Sequence, residues 1–572
     1  TERQRLFKLP HSSWNDYDRQ LLSEGGEIYR RDSKAITVSS VMKKWLGIPY
    51  KTIDGETLIR YLLKAQVELL WLGGIGTYVK ASLETDAEVG DRDNNSVRID
   101  ATALRAQVVG EGANMGFTQK ARIEFSLAGG RINTDAIDNS AGVDISDHEV
   151  NLKILLSSLY TKNKITDTDI FFKRYTKSVS QSVLQNNYEQ TLCLSLEQIR
   201  CSTQLKTYLQ SVNQLEASNY LDRKVVSFMQ DKEILSRQPQ ILTRPELATL
   251  MAASKMHLTQ KLLEHSDFLA PDYFQQFLLG YFPEQVTKDF SDEIVMHPLA
   301  NEIKATSISN KIINQAGCIF TQLSEDDKNS LLETSICYLV FDQVIEADKL
   351  RQTIYDHDNK INAESQYKAL LVIEEMLFIF CQWSLLNEKF HTPTQKTIAC
   401  YQSYLLEYKL FFQQEFKKPP HYNKQIEYYQ QLGFSQESAE EICFIKSIEN
   451  FPYLVTLAVN TNKTFLVILQ TYNECNTFLD LEPIYSNLKN IQLDGYWEKK
   501  VCLELQNDLR NITGSMIKEI TTMETTVANF FSENARKPAL KQYQNITQKI
   551  NTLSSSSLMP YISLKDALGK LV

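Results

Sequence analysis

The chain has 572 residues, 43% hydrophobic and 23% charged, with a formal net charge of -9. At roughly 100 to 200 residues per domain, this length implies three or more domains with sizeable cores. The balance is that of a globular protein rather than a disordered tail, and the negative charge without a Lys/Arg stripe argues against nucleic acid as a partner.

The opening segment Thr1-Glu-Arg-Gln-Arg-Leu-Phe7 has no apolar run of the secretory kind and reads as the middle of a longer polypeptide, so a cytoplasmic location is expected. Glycine then crowds the first quarter of the chain, at Gly25-Gly26, Gly73-Gly74, Gly76, Gly110, Gly112, Gly116, Gly129-Gly130 and Gly142. Between these turns, Glu56 to Gln66 has helical apolar spacing, and Val67-Glu-Leu-Leu-Trp-Leu72 is a short apolar run ending at glycines, as a buried strand does. The alternation repeats. Ala101 to Gln107 predicts a helix, Val108-Val109 a strand entering Gly110-Glu-Gly-Ala-Asn114, and Thr118 to Leu127 another helix. Helices alternating with strands that end in glycine loops predict a parallel α/β sheet, whose ligands lie outside the carboxyl ends of its strands.

Ser146-Asp-His-Glu149 carries the signature of a helix start, in which Ser caps the first turn and Glu reaches back to the cap amide. Thr243-Arg-Pro-Glu246 repeats it with Pro in the first turn, ahead of the amphipathic Leu247 to Leu263. From about residue 340 the sequence is rich in Gln, Asn, Lys and Tyr with helical spacing, which predicts bundled helices. The longest apolar stretch, Ala369 to Cys381, is broken by charge and shorter than the roughly 20 residues of a membrane span, so no membrane contact is expected. All nine cysteines lie at or after Cys193 without a Cys-x-x-Cys pair, which predicts buried thiols and no metal site.

Three loops could carry chemistry. Gly74-Ile-Gly76-Thr-Tyr-Val79 and Gly110-Glu-Gly112-Ala-Asn-Met-Gly116 each match a dinucleotide fingerprint in part, and each also reads as a tight turn after a strand. The third, Arg131 to Ser146, packs small polar residues around a glycine turn, where free helix amides attract anions. Within it Asp135, Asp138 and Asp144 read as turn residues, Ser146 as a helix cap or a ligand contact, and His148 as a solvated first-turn histidine. Hydrolase elbows, phosphate-binding loops and zinc-helix motifs have no match.

Taken together, four consecutive stretches resemble the large NAD-specific glutamate dehydrogenases. They are Leu69-Leu-Trp-Leu-Gly-Gly-Ile-Gly-Thr-Tyr-Val-Lys-Ala81, Glu84-Thr-Asp-Ala-Glu-Val-Gly-Asp-Arg92, Val108-Val-Gly-Glu-Gly-Ala-Asn114 and Ala128-Gly-Gly-Arg-Ile-Asn-Thr-Asp-Ala-Ile-Asp-Asn-Ser-Ala-Gly-Val143. The likeness extends to Leu242-Thr-Arg-Pro-Glu-Leu247 and to His297-Pro-Leu-Ala-Asn-Glu-Ile-Lys-Ala-Thr306, where Ala300-Asn301 replace an expected pair of arginines. The resemblance implies oxidative deamination of L-glutamate to 2-oxoglutarate and ammonia with NAD as hydride acceptor. It implies that Gly73, Gly74 and Gly112 let backbone approach the cofactor, that Asn114 bonds its ribose region, that Asn139 meets the nicotinamide amide, and that Ser146 faces the substrate carboxylate.

It further implies that the substrate domain, with its catalytic lysine and acid-base aspartate, lies upstream of this sequence, so no catalytic residue is assigned. On this reading residues 1-150 form a partial NAD-binding, Rossmann-like domain, 151-340 a helical domain and 341-572 a carboxyl-terminal helical bundle. The fold class is α/β followed by mainly α. The chain is then part of such a dehydrogenase, inactive until joined by its upstream catalytic portion and expected to form homo-oligomers. The alternative is a non-catalytic helical module for regulation or assembly.

Overall fold

In the computed structural model, residues 1-572 are described except 166, 325-329, 388-393, 415-419, 492, 494-495 and 553-556. The chain divides into two compact units, Thr1–Glu325 and Asp326–Val572.

In the first unit, helix α1 (Gly55–Leu63) starts where the Asp54 carboxylate accepts the Thr57 amide at 2.8 Å, a cap worth about 1 kcal/mol. Its buried Leu63 leads into strand β1 (Leu69–Leu72). The chain then forms the short parallel pair β2 (Val79–Lys80) and β3 (Ile99–Asp100), and returns as β4 (Val108–Glu111). Helix α2 (Gln119–Leu127), capped by the Thr118 hydroxyl on the Ala121 amide, carries the chain to β5 (Arg131–Ile132). The three main strands are parallel in the order β1-β4-β5, with Leu69 opposite Val108 and Val108 opposite Arg131. A core of Leu72, Val79, Ile99, Val109, Phe117, Ala121, Phe125 and Ile132 fills the space between the sheet and α2.

Only one face of β1 is covered. Side chains alternate across a strand, so Leu72 is buried while Leu69 and Trp71 are more than half exposed, and the fully buried strand expected from the apolar run is not formed. The helix expected over 101-107 is also absent: Ala101–Ala103 makes a single 3-10 turn before extended chain.

A short helix α3 (Asp135–Asp138) ends at Asn139, and helix α4 (Ser140–Thr161) begins at once. Ser146 is therefore the seventh residue of a continuous helix and not its cap; the chain turns instead at Asn139, with φ -110° and ψ 11°. Helices α5 (Thr168–Ala217), α6 (Arg244–Glu264) and α7 (Ala300–Ala316) complete the wall behind the sheet. The expected start of α6 is observed: the Thr243 amide and hydroxyl both donate to Glu246 at 2.7 Å, with Pro245 in the first turn.

The second unit is helical throughout its described residues. Helices α8 (Ser330–Val344), α9 (Ala347–Tyr355) and α10 (Ala363–Asn387) converge on Arg351, which is 1% exposed. Its guanidinium bonds Glu374 at 2.6 and 2.8 Å and Asp342 at 2.6 Å, and Tyr338 donates to the other Glu374 oxygen at 2.8 Å. The apolar run expected to be too short for a span lies inside α10, whose 25 residues are by length and composition enough to cross a membrane. Here α10 carries Glu374 in that buried network and packs its apolar side chains into the unit's core, as a core helix does. Eight of the cysteines are buried, none is in a disulfide, and Cys400 is exposed.

Because Arg351 neutralises two buried carboxylates, Arg351→Met strands them without a counter-charge. Denaturant unfolding of this variant is expected to show a loss of about 3 to 5 kcal/mol. A loss under about 1 kcal/mol in that measurement counts against the network as the organiser of the second unit.

Candidate functional site

The carboxyl ends of β1, β4 and β5 open onto three loops, and each is held by a carboxylate or a guanidinium from a neighbouring element. The loop after β1 depends on Arg98, whose side chain is fully buried. It donates to the Thr77 carbonyl at 2.9 Å, to Asp86 and Asn95 at 2.7 Å each and to the Asp91 carbonyl at 2.5 Å. Asp91 accepts the Thr77 amide at 2.7 Å, and this bond together with the one from the Asn94 side-chain amide holds its carboxyl below the usual range. The polar run after the first glycine cluster is thus a folded brace. Gly73 and Gly74 sit on its rim, exposed, and a β-carbon at either would meet nothing closer than 3.9 Å.

The loop after β4 hangs on Glu111, which is 0% exposed. Arg122 of α2 grips it as a two-pronged fork at 2.7 and 2.9 Å, and the Phe117 amide donates to it at 3.1 Å. Burial opposes the Arg122 charge, but the Glu111 carboxylate more than offsets this and raises it above the ordinary arginine value. Arg122 also pairs with Asp135 at 3.0 Å, and Asp135 accepts the Met115 amide at 2.8 Å. Asp138 accepts the Glu111 amide at 2.9 Å. Asp135 and Asp138, read from sequence as turn residues, therefore join the third loop to the second.

This bracing brings together two of the expected site residues: Asn139 Nδ2 donates to Asn114 Oδ1 at 2.8 Å. Asn114 is exposed and Asn139 half-buried, and their loops leave the carboxyl ends of the parallel strands, as the Gly73-Gly74 loop does. Ser146 is exposed on the second turn of α4. Gly112 lies against an indole ring. Gly110 and Gly112 lie on one face of β4, and the Trp71 indole of the adjacent strand rests on them, so that a β-carbon at Gly112 would fall 2.3 Å from the ring. Glycine there makes room for Trp71. Trp71, Glu111, Arg122 and Arg98 were not singled out from sequence. The signal for the first was the pair of glycines two apart in a strand, which leaves one face of the backbone bare.

Behind the loops, Asp144 accepts from Asn186 at 3.2 Å and lies 3.6 Å from His148 Nε2. His148 is 3% exposed, not solvated, and stacks on Tyr281 with ring centroids 4.1 Å apart. It is buried because it sits in the third turn of α4 on the inward face, where a helix starting at Ser146 would have left it in the first. Burial lowers its pKa, with Asp144 and Asp147 pulling the other way.

Comparison with known proteins decides the family. Residues 239–565 match the family "Glutamate dehydrogenase, C-terminal", and residues 1–197 match "Bacterial NAD-glutamate dehydrogenase, catalytic domain". The chain belongs to the bacterial NAD-glutamate dehydrogenase family. It is similar to proteins named NAD-specific glutamate dehydrogenase from Halomonas elongata, 37% identical over 402 residues, 69% of this chain and 25% of the relative. The Pseudomonas aeruginosa relative is 34% identical over 533 residues, 90% of this chain and 32% of the relative, and the Mycobacterium tuberculosis one 41% over 355, 60% and 22%. The chain thus spans between 22% and 32% of the length of these relatives.

These matches correct one expectation. The catalytic domain does not lie wholly upstream, since residues 1–197 match it, and the chain is more than a carboxyl-terminal portion. The four loop stretches of residues 69-143 are themselves part of that domain, so the lack of a recognised lysine and aspartate motif did not show the domain to be missing.

Two outcomes follow from the packing. Gly112→Ala is expected to lower stability by about 1 to 3 kcal/mol through collision with Trp71, and Trp71→Ala in that background to recover part of the loss, both read by thermal unfolding. Additive losses in the double variant would place the strain elsewhere. For His148, the folded pKa lies below the ordinary 6.5, so the unfolded chain takes up its proton first and stability falls as pH drops below 6.5. His148→Phe, which keeps the stack on Tyr281, should flatten the dependence of melting temperature on pH in that window; an unchanged slope would assign it to other groups.

Proposed function

We propose that this chain serves NAD-dependent oxidation of L-glutamate, with the cofactor bound across the carboxyl ends of β1, β4 and β5, the second half of a Rossmann-like sheet. The observation that carries this reading is the Asn114–Asn139 amide pair, which lies at the same carboxyl edge of the parallel sheet as the open, exposed backbone of Gly73 and Gly74. Such a set fits a dinucleotide: uncrowded glycine backbone for close approach, side-chain amides that can both donate and accept, and strand ends that point at the ligand. The named activity of the relatives in Halomonas, Pseudomonas and Mycobacterium supports the choice of NAD and glutamate.

When bound, NAD supplies the hydride acceptor. The overall reaction takes L-glutamate, NAD and water to 2-oxoglutarate, ammonium, NADH and a proton. The residues of this chain contribute position rather than bond-making. On this reading Asn139 turns its amide from Asn114 to the nicotinamide carboxamide, Asn114 takes the ribose hydroxyls, and the exposed Ser146 hydroxyl offers a donor to a substrate carboxylate. Asp135 and Asp138 keep the second and third loops in register, so that both amides stay at one mouth.

The test is glutamate-dependent NADH formation by the purified chain and by Asn114→Ala, Asn139→Ala and Ser146→Ala. Loss of one amide contact is expected to raise KM for NAD roughly tenfold in each asparagine variant, and loss of the hydroxyl to raise KM for glutamate by a similar factor. If Ser146→Ala changes the NAD constant and not the glutamate one, the assignment of Ser146 to the substrate is wrong.

A further inference from the structure

Helix α6 reaches the 133-140 segment once directly and once through Gln190 of α5. Arg244 donates to the Asn133 side chain, and its other nitrogens reach the Thr191 carbonyl at 2.8 Å and Ser195 at 3.0 Å. Eleven residues on, about three helical turns, Lys255 projects from the same face of the helix. Its Nζ donates to Gln190 Oε1 at 2.9 Å. Gln190 Nε2 lies 3.4 Å from Ser140 Oγ, which donates to Asn187 and sits 2.9 Å from the Ile137 carbonyl. Ser140 is the first residue of α4 and follows Asn139 directly.

An amine in this position is costly. Burial pushes Lys255 down to about 8, although Cys193, Cys318, Glu189 and Asp144 all favour its charge. A methionine would fill the same space without that cost, so the packing of α6 alone does not call for lysine. What lysine adds is a donor that fixes the Gln190 amide with its oxygen towards α6 and its nitrogen towards Ser140. With the amide reversed, the Gln190 oxygen would face the Ser140 oxygen, whose single proton already has the Ile137 carbonyl and Asn187 Oδ1 as acceptors, and the Gln190 donor to Ser140 would be lost. The Asn139 amide is held at its far end by Asn114 and makes no side-chain cap on α4, so its near end rests on the backbone junction that Ser140 anchors.

We propose that Lys255 is a positioning residue for the Asn139 amide, acting through Gln190 and Ser140. The proposal rests on the reading of Asn139 as a cofactor contact, but its structural half can be tested without the cofactor.

The 572-residue chain is compared with Lys255→Met, Lys255→Arg, Asn139→Ala and the Lys255→Met/Asn139→Ala double variant. In hydrogen exchange, Lys255→Met is expected to speed exchange over residues 137-142 by about fivefold while α5 and the rest of α6 stay as they were, and Lys255→Arg to remain within about twofold of the parent. Unchanged exchange over 137-142 overturns the proposal, as does an equal rise throughout α5 and α6. In calorimetric NAD binding, Lys255→Met is expected to weaken affinity about fivefold alone and to have no further effect in the Asn139→Ala background. The same loss in both backgrounds shows that Lys255 does not act through Asn139 and also overturns it. If Asn139→Ala leaves NAD affinity unchanged, the cofactor reading of Asn139 fails, and the exchange measurement still decides whether Lys255 positions the junction.

Discussion

The candidate site depends on one buried ion pair. Glu111 ends β4 with no exposure to solvent, and the Arg122 fork that neutralises it comes from the next helix, so the Gly112–Gly116 loop between them is pinned at its base. Burial pushes the Glu111 carboxyl up while the Arg122 fork pulls it down, and removing that partner would leave a buried charge at a cost of several kcal/mol. The same guanidinium reaches Asp135, and through it the third loop is tied to the second. The meeting of Asn114 and Asn139 follows from this arrangement.

That dependence explains what could be read from the amino-acid order. The alternation of helix, strand and glycine turn located β1, β4, α2 and the start of α6, because apolar period and cap chemistry are local. The grouping of Asn114 with Asn139 was legible only through the family resemblance, since the bonds that make it join residues 11 to 27 positions apart in sequence. The Ser146 start was misread for a related reason. A capping signature was present at Ser146, but the chain had already entered the helix at Ser140, and the same six residues moved His148 from solvent to the core.

Trp71 gives a packing reason for a glycine pattern. Glycines at 110 and 112 match a dinucleotide fingerprint in part, and one side of the backbone they leave bare is taken by an indole from the same sheet. Gly73 and Gly74 have open space before them. In the second unit the Gln, Asn and Tyr content that predicted helical bundles has a comparable use, since buried Tyr338, Tyr453 and Tyr543 each place a hydroxyl on a carboxylate or a backbone carbonyl within the core.

The most direct measurement of the proposed cofactor site uses Trp71 as a reporter, because its ring lies within the sheet end where NAD is placed. Titration of the chain with NADH, following energy transfer from tryptophan to the bound reduced nicotinamide, should show saturable transfer that falls by more than half in Trp71→Phe while affinity is retained. Absence of saturable binding, or saturable transfer that Trp71→Phe leaves intact, would contradict placement of the cofactor at the ends of β1 and β4.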